Sequence, residues 1–358
     1  MRGLVLSGGY GTRLRPLTHT GPKQLIPIAN KPNILYCIED LREAGIKDIG
    51  VILGNVMPEK VQEFLGDGSK FRVKITYIVQ GEPKGIAHAV NCSKSFMGKE
   101  PFVVYLGDNL LKNGIKAIPS LMIKEKADCV VSLCPVSEPQ RYGIAELSSD
   151  GKSVLRAVEK PREPKSNLAV IGVYAFNETF FKVYPKLKPS WRKEFEITDA
   201  ISLLIDSGYK VVPHQVEGWW KDTGRPEDIL EANHLILDGM ESLNEGRVEN
   251  GASIVGRVRI GKGTVITGRS VVRGPVIIGE NCRIGPRAYI GPYTAVGDRC
   301  QVTAAEVDDS IVMDDTVVEV EGKIVRSMIG KSSRILSSNG LIPRGERLIV
   351  GENTTLYL

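Results

Sequence analysis

Several residue types that mark particular classes of protein are scarce in this chain. Only six of its 358 residues are cysteine, and no two of them form a CxxC pair or lie beside a group of histidines. This argues against a zinc site or a thioredoxin-like redox motif. No apolar run approaches about 20 residues, which excludes a transmembrane helix. No secretory leader is visible before the first apolar run, so we expect a cytoplasmic protein with reduced thiols.

The chain also lacks a large excess of charge of either sign. The chain has 47 Lys and Arg against 42 Asp and Glu, a formal net charge of +5, and its basic residues form no clustered run. Proteins that bind nucleic acids or membrane surfaces through charge show such clusters. The sequence therefore predicts neither kind of partner.

The length, about twice that of a typical domain, predicts two domains. Up to about residue 240, apolar runs such as Arg2–Ser7 and Phe102–Leu106 alternate with segments of helical spacing such as Ile34–Ala44. This alternation predicts an α/β domain over residues 1–240, Rossmann-like, with a mostly parallel mixed sheet. Ligands of such sheets bind beyond the carboxyl ends of the strands, where we expect the site. The polar stretch 237–249 predicts a linker.

From about residue 250 onward the sequence repeats every six residues. Nine successive positions at this spacing hold only Ile or Val, namely Ile254, Ile260, Ile266, Val272, Ile278, Ile284, Ile290, Val296 and Val302. The residue two places before each of them is never larger than valine. The repeat predicts a three-sided parallel β-helix over residues 250–340, with about 18 residues per coil and an aliphatic and a small side chain pointing inward at each step. A tail, 341–358, follows.

Two details of the repeat carry expectations of their own. The phase is lost after Val302 and resumes at Val312, which predicts an inserted loop near 303–309. Cys282 and Cys300 lie one coil apart in the inward layer of small residues. Because stacked strands are about 4.8 Å apart, a disulfide between them is geometrically possible. Buried free thiols filling small slots are favoured instead.

A glycine-rich loop follows the first apolar run, within Leu6–Thr18 (LSGGYGTRLRPLT). Such a turn lets backbone N–H groups approach phosphate oxygens. It lacks the GxxxxGK[ST] pattern of a P-loop and departs from GxGxxG, which argues against a Walker-type ATPase. Arg13 and Arg15 follow the glycines directly, and a guanidinium group matches phosphate oxygens in a fork. The segment therefore predicts a phosphate-binding loop.

The glycine loop and the segment Pro22–Leu25 together resemble the signature of sugar-phosphate nucleotidyltransferases. Further matches follow in the order of that family, in Gln80 with Gly85, Leu106–Asn109, Arg141–Gly143, Glu159–Pro161 and Trp219–Gly224. Joined to a hexapeptide β-helix, the set most resembles the long-form glucose-1-phosphate thymidylyltransferases. The resemblance implies a left-handed helix, and it implies a reaction in which glucose 1-phosphate attacks the α-phosphorus of dTTP in line and releases pyrophosphate and dTDP-glucose.

The resemblance also implies roles for individual residues. Those implied to bind the nucleotide are Leu6, Gly8, Gly9, Gly11, Thr12, Arg13, Lys23, Gln24, Gln80 and Gly85. Those implied to bind the sugar phosphate are Asn109, Gly143, Glu159, Lys160, Val170 and Arg192. Asp108 and Asp222 are implied to bind Mg²⁺, which prefers carboxylate and phosphate oxygens. The residues implied to act in catalysis are Arg13, Lys23, Asp108 and Lys160.

The chemistry fits the small number of histidines. Two polyanions must be brought together, so cations and a metal do most of the work. The attacking phosphate is already ionised, with a second pKa of about 6, and needs no dedicated base. The four histidines, at positions 19, 88, 214 and 234, lie outside the strongest motifs.

Alternatives to this assignment stay open. UTP instead of dTTP, or a broad substrate range, is compatible with the motifs because a pocket discriminates one methyl group by only about 1–3 kcal/mol. A bifunctional nucleotidyl- and acetyltransferase is disfavoured, because acyl transfer commonly uses a histidine base and no histidine follows His234. A non-catalytic regulatory subunit is disfavoured by the intact cations and carboxylates. Since helices of this kind often form trimers, we expect a homo-oligomer, a trimer or tetramer.

Overall fold

The computed structural model describes residues 1–337 of the chain. The expected tail, 341–358, and the last positions of the expected β-helix domain, 338–340, lie outside the described residues. The chain divides into two compact units. The first unit consists of Met1–Gly11, Thr20–Leu25 and Asn33–Asp222. The second consists of Thr12–His19, Ile26–Pro32 and the described chain from Thr223 onward.

The strands that precede the repeat are β1 (Arg2–Ser7), β2 (Pro27–Ile28), β3 (Lys31–Pro32), β4 (Asp48–Leu53), β5 (Lys74–Val79), β6 (Phe102–Leu106), β7 (Asn109–Leu111), β8 (Cys129–Pro135), β9 (Gly143–Leu147), β10 (Val154–Glu159), β11 (Leu168–Phe176), β12 (Val211–Gln215) and β13 (Trp220–Asp222). The α-helices of the described chain are α1 (Asn33–Glu43), α2 (Pro58–Leu65), α3 (Ile86–Cys92), α4 (Lys94–Met97), α5 (Ala117–Glu125), α6 (Thr179–Val183), α7 (Ile197–Asp206) and α8 (Pro226–Asp238). Within residues 1–337, no helix is both long and apolar enough to cross a membrane.

The first unit is built on one mixed sheet with the order β10-β9-β11-β6-β1-β4-β5, joined by β8 and β12 through β11. Strands β5, β4, β1 and β6 are parallel to their neighbours, whereas β11 runs antiparallel to β6, β8 and β9. Apolar helix faces cover both sides of the sheet. Ile34, Ile38 and Leu41 of α1 are fully buried in one layer, and Ile201 and Leu204 of α7 in the other. The predicted Rossmann-like α/β fold is confirmed.

The second unit contains a left-handed parallel β-helix, as the repeat and the resemblance predicted. Its strands are β14 (Leu243–Asn244), β15 (Arg247–Val248), β16 (Ser253–Val255), β17 (Val258–Ile260), β18 (Val265–Ile266), β19 (Val271–Arg273), β20 (Val276–Ile278), β21 (Arg283–Ile284), β22 (Tyr289–Ile290), β23 (Thr294–Val296), β24 (Gln301–Thr303), β25 (Glu306–Asp308), β26 (Ile311–Val312), β27 (Val317–Glu319), β28 (Lys323–Val325), β29 (Met328–Ile329) and β30 (Arg334–Leu336). Every third strand belongs to the same parallel sheet, which gives three sheets.

The start of the β-helix differs from the prediction. Strand β14 pairs with β17, and β15 pairs with β18, so the first coil begins at Leu243, inside the stretch 237–249 that was expected to be a linker. The inward positions behave as predicted from Ile260 to Val302, where each aliphatic side chain of the repeat is at most 1% exposed. The first coil was missed because its residues are more polar than the repeat.

The inserted loop expected near 303–309 is wrong. Val302 is followed by two shortened steps, which place Val307 and then Val312 at the inward positions, both 0% exposed. Each step is five residues long instead of six, and the turns contain residues with positive φ, Ala304 (54°) and Asp309 (46°). The phase break therefore arises from two tightened corners, and Val307 lies outside the six-residue register of the preceding coils.

The cysteines are free thiols in the structure. Cys282 Sγ donates to the carbonyl oxygen of Gly297 (3.0 Å), and Cys300 Sγ donates to that of Met313 (3.1 Å). Both side chains are at most 2% exposed. This arrangement agrees with the favoured alternative of thiols that fill small inward slots.

Thiol labelling tests this arrangement. Burial raises the pKa of Cys37 and Cys129 and keeps both thiols protonated, so only transient opening exposes them to reagent. We expect iodoacetamide to modify the native protein mainly at Cys92 and Cys134, with the buried thiols about 100-fold slower, and to modify all six in denaturant. Peptide mass spectrometry gives the site rates. A peptide cross-linked through Cys282 and Cys300 in the unreduced protein would contradict the prediction.

Candidate active site

Two carboxylates lie on neighbouring segments beyond the carboxyl end of β6. Asp108 follows β6 after Gly107, and β7 begins at Asn109. Strand β13 pairs with β7 in antiparallel register, with Asp222 opposite Asn109. Because β7 begins directly after Asp108, this register places the backbones of the two aspartates that the sequence predicted as metal ligands on neighbouring strands.

Asn109 ties these segments to β11. Its Oδ1 accepts hydrogen bonds from Trp220 Nε1 (2.6 Å) and from the N–H of Gly172 (3.2 Å). A Cβ atom on Gly172 would lie 2.6 Å from that same oxygen, so no larger residue fits there. The Asn109 side chain, 2% exposed, is thus held by two segments distant in the sequence, and it fixes the backbone beside Asp108.

Lys23 provides a positive charge next to Asp108, beyond the carboxyl end of β6. It lies in a short 3₁₀ helix, Lys23–Leu25, and its Nζ forms an ion pair with Asp108 Oδ2. Asn109 Nδ2 donates to the other oxygen, Asp108 Oδ1 (3.2 Å). Burial tends to raise the pKa of Asp108, but Lys23 and Asn109 outweigh it and the pKa is lowered. The carboxylate is therefore ionised at neutral pH.

The donor set fits a hard divalent cation that is completed by substrate. Within residues 1–337, no three Asp, Glu, His or Cys side chains lie close enough together to hold a metal ion by themselves. One or two carboxylates are nevertheless sufficient for Mg²⁺ when phosphate oxygens and water fill the remaining positions. Asp108 and Asp222 can act in this way.

Two side-chain amides flank the first glycine of the loop. Gln24 Nε2 donates to the carbonyl oxygen of Gly8 (3.0 Å), and a Cβ atom on Gly8 would lie 3.0 Å from Gln80 Oε1. Gln80 Nε2 in turn lies 3.4 Å from the carbonyl oxygen of Gly85. The structure thus brings together Gly8, Gln24, Gln80 and Gly85, all predicted to bind the nucleotide, with Leu6 buried in β1 directly before them.

The remaining glycines of the loop have left-handed backbone. Gly9 has φ 93° and Gly11 has φ 59°, conformations that larger residues adopt only with strain. Between them Tyr10 is 48% exposed, and its hydroxyl group donates to Glu82 Oε2 (3.1 Å). The loop therefore exposes backbone at two glycines and is tied to the segment that follows Gln80.

Thr12 and Arg13 are grouped with the second unit. They lie in a short 3₁₀ helix, Thr12–Leu14, and the Arg13 guanidinium group lies against Gly224. A Cβ atom on Gly224 would be 2.9 Å from Arg13 Nη2, so the glycine leaves space for the arginine.

A third group of predicted residues surrounds the carboxylate of Glu159. Gly143 and Glu159 face each other across β9 and β10, and Thr198 Oγ1 donates to Glu159 Oε2 (3.2 Å). A Cβ atom on Gly143 would lie 2.5 Å from the Thr198 methyl group and 3.7 Å from Val170. Arg192 Nη1 lies 3.4 Å from Glu159 Oε1. The structure brings these residues together at the ends of β9, β10 and β11.

Arg192 and Lys160 supply the positive charge here. Arg192 is close to two further carboxylates, Glu194 (3.1 Å) and Glu196 (3.4 Å), and burial raises the pKa of Glu196. Lys160 follows Glu159 with φ 42°, and its Nζ lies 3.8 Å from Glu159 Oε1. A group of side chains with carboxylate acceptors and two cations can hold a hydroxylated, phosphorylated ligand.

Comparison with known proteins identifies the family. A family model described as nucleotidyl transferase matches residues 2–239. The chain belongs to this family. A second model, described as the GMPPB C-terminal domain, matches residues 272–356.

Relatives and solved structures extend this comparison. The low-salt glycan biosynthesis nucleotidyltransferase Agl11 of Haloferax volcanii is 48% identical over 358 residues, and the alignment covers 100% of this chain and 100% of the relative. A glucose-1-phosphate thymidylyltransferase of Streptomyces antibioticus is 41% identical, covering 100% of this chain and 99% of the relative. A crystal structure of UDP-glucose pyrophosphorylase complexed with UDP-glucose is 28% identical with a TM-score of 0.60, over 67% of this chain and 99% of that chain.

Some residues of this nucleotidyl transferase site were not predicted from the sequence. Thr198 contacts Glu159, and His88 Nδ1 lies 3.3 Å from Gln80 Nε2, with burial and then Lys84 lowering the pKa of His88. Ser7, at the end of β1, has a buried hydroxyl group without a hydrogen-bond partner in the described chain. For Ser7 the signal was its place directly before Gly8, whereas His88 and Thr198 reach the site only through folding.

Proposed function

We propose that this nucleotidyl transferase forms dTDP-glucose and pyrophosphate from dTTP and glucose 1-phosphate with Mg²⁺. The strand order carries the proposal. The residues around Gly8 and Gln80 follow β1 and β5, Asp108 follows β6, and the residues around Glu159 lie at β9, β10 and β11. Since β6 lies between β1 and β11 in the sheet, the carboxylates would lie between a nucleotide and a sugar phosphate.

Each group then has a part in the reaction. Gln80 would present amide donor and acceptor atoms to the pyrimidine ring, with neutral His88 orienting the amide. Glu159 would accept hydrogen bonds from sugar hydroxyl groups while Thr198 and Arg192 hold its carboxylate. Lys160 would neutralise the sugar phosphate, whose ionised oxygen is the nucleophile.

The charges at the carboxylates would then act on the triphosphate. Mg²⁺ held by Asp108 and Asp222 would offset the negative charge that develops on the transferred phosphorus. Lys23 pairs with Asp108 in this structure and can turn its ammonium group to the phosphates. Arg13 would hold the departing pyrophosphate through its guanidinium group.

The base is the least constrained part of the proposal, and a UTP-using or broad-specificity enzyme is the alternative. The relatives differ on this point, since one is a thymidylyltransferase and one solved structure is a UDP-glucose pyrophosphorylase. A pocket distinguishes thymine from uracil by a single methyl group, which is worth about 1–3 kcal/mol of binding free energy. The β-helix, with no histidine after His234, would serve assembly into a trimer or tetramer.

A substrate panel tests the function. Pyrophosphate release would be measured with dTTP, UTP, GTP, CTP and ATP against the 1-phosphates of glucose, galactose, mannose and N-acetylglucosamine. We expect dTTP with glucose 1-phosphate to give the highest kcat/KM, with UTP lower by about 10- to 200-fold, and no turnover after removal of Mg²⁺.

Other outcomes would revise the assignment in distinct ways. Equal or better rates with UTP would make the alternative correct. Background rates with every substrate pair would reject catalysis and favour the alternative of a non-catalytic regulatory subunit. Acetylation of glucosamine 1-phosphate by acetyl-CoA would show the bifunctional enzyme.

A further inference from the structure

A short hairpin belongs to the second unit although first-unit residues flank it on both sides in the chain. It spans Ile26–Pro32 and pairs β2 with β3. Its two turn residues, Ala29 (φ 46°) and Asn30 (φ 62°), both have left-handed backbone. Such two-residue turns suit Asn and Gly, and Ala29 is unfavourable there. The conformation must therefore be held by contacts outside the hairpin.

A buried amide supplies the first of these contacts. Asn233 of α8 is 0% exposed, and its Oδ1 accepts a hydrogen bond from the N–H of Ala29 (2.9 Å). Its Nδ2 donates to the carbonyl oxygen of Tyr293 in the β-helix (2.8 Å). One side chain thus connects the hairpin to a coil of the β-helix and uses both ends of its amide.

The hairpin also contacts the β-helix directly. Asn30 Nδ2 donates to the carbonyl oxygen of Val296 at 2.6 Å. Helix α8 is anchored to the same coils, because the His234 ring lies 4.2 Å from that of Tyr293 and its Nε2 hydrogen-bonds to Asp309. The tip of the hairpin is therefore held by a set of contacts within the second unit.

The chain leads directly from this hairpin into the candidate active site. The 3₁₀ helix Lys23–Leu25 ends one residue before Ile26, and the N–H of Leu25 donates to the carbonyl oxygen of Pro22 (3.0 Å). Arg13 lies in the other segment of this kind, Thr12–His19, in which Leu17 packs against Gly330 of the β-helix. Of the two cations proposed to bind the triphosphate, Arg13 thus lies within a segment of the second unit and Lys23 lies directly before one in the chain.

We propose that Asn30 is a positioning residue for nucleotidyl transfer, and that the β-helix acts through it in catalysis as well as in assembly. By holding the hairpin, the bond from Asn30 to Val296 fixes the end of the short helix that carries Lys23. The Lys23 ammonium group is thereby kept at the phosphates of the nucleotide. The kinetic part of this inference rests on the proposed function.

The test compares Asn30→Gly with Asn281→Gly. Glycine tolerates φ 62° and removes only the side-chain bond to Val296, whereas Asn281 (φ 54°) is an exposed corner of the same β-helix away from the hairpin. Both full-length proteins would be measured for amide hydrogen exchange at residues 23–26 and for kinetics with each substrate. Matched melting temperatures would show that both variants fold.

We expect the kinetics for the nucleotide to change and those for the sugar phosphate to stay the same, which a purely structural role would not produce. In Asn30→Gly, exchange at residues 23–26 rises and kcat/KM for the nucleotide falls about three- to tenfold, the effect of one hydrogen bond. The KM for the sugar phosphate stays within twofold, and Asn281→Gly matches the unmodified protein. Unchanged exchange, or faster exchange without a nucleotide effect, would overturn the proposal. Absent turnover in the unmodified protein would instead reject the proposed function, while the exchange data would still test the anchoring.

Discussion

Asp108→Asn is expected to lower kcat for nucleotidyl transfer by about 1000-fold or more, with the fold retained. The substitution keeps the size of the side chain and removes its negative charge. It removes one of the two carboxylates proposed to bind Mg²⁺. It also removes the negative charge that pairs with the Lys23 ammonium group. Rates of pyrophosphate release at several Mg²⁺ concentrations measure the effect.

Stability should change with pH in a defined direction. The pKa of Asp108 is lowered in the folded protein, so its ionised form contributes stability above the unfolded pKa of about 3.9, and that contribution is lost as pH falls through the folded pKa. We therefore expect Asp108→Asn to melt below the unmodified protein at pH 7. The difference should shrink below about pH 4.

A matched control separates this site from general effects of losing a charge. Asp48 begins β4, at the opposite end of the parallel strands, and its Oδ2 pairs with Arg2 Nε (3.0 Å). We expect Asp48→Asn to keep kcat within about twofold, since this half-buried pair lies at the end of the strands away from Asp108. Near-normal turnover in Asp108→Asn would reject the assignment of Asp108 as a metal ligand.

The sequence predicted those features that repeat or that lie within one short segment. The six-residue period located the β-helix because each inward side chain repeats the same packing. The Gly-rich loop and the segment around Asp108 could be recognised because each lies in a few consecutive residues after an apolar strand. The carboxyl ends of parallel strands share one edge, which explains why these segments meet.

The features that were missed depend on contacts between distant residues or on a change of period. Thr198 reaches Glu159, and Asn233 joins Ala29 to Tyr293, only because of how the chain folds. No local pattern marks either contact. The two five-residue steps after Val302 were not predicted for another reason. Two shortened corners displace the aliphatic residues from the six-residue spacing, as an inserted loop would.

Gly85→Ala is expected to destabilise the protein by about 3 kcal/mol or more and to lower kcat/KM for both substrates by about 100-fold. Gly85 has φ 104° and ψ 170°, a region that essentially only glycine occupies. A Cβ atom there would lie 2.5 Å from the carbonyl oxygen of Phe195 and 2.7 Å from its nitrogen. Backbone atoms cannot turn away as a flexible side chain can, so the two segments must separate.

Both substrates should be affected because Phe195 links the two sides of the site. Its N–H donates to the carbonyl oxygen of Lys84 (2.8 Å), and its carbonyl oxygen accepts from Ala87 (3.1 Å). Separation would move the loop from Gln80 to Gly85, proposed to hold the base. It would also move the segment that leads to Thr198, the hydrogen-bond partner of Glu159.

Gly81→Ala is the matched control for this prediction, four residues earlier in the same loop. Gly81 also has positive φ (70°), but a Cβ atom there would meet nothing within 4 Å. Its cost should be that of the left-handed backbone alone, about 1–2 kcal/mol. Urea unfolding and kinetics with each substrate compare the two variants. Equal stability and equal rates in Gly81→Ala and Gly85→Ala would show that close packing against Phe195 is not required, because only Gly85 faces that backbone.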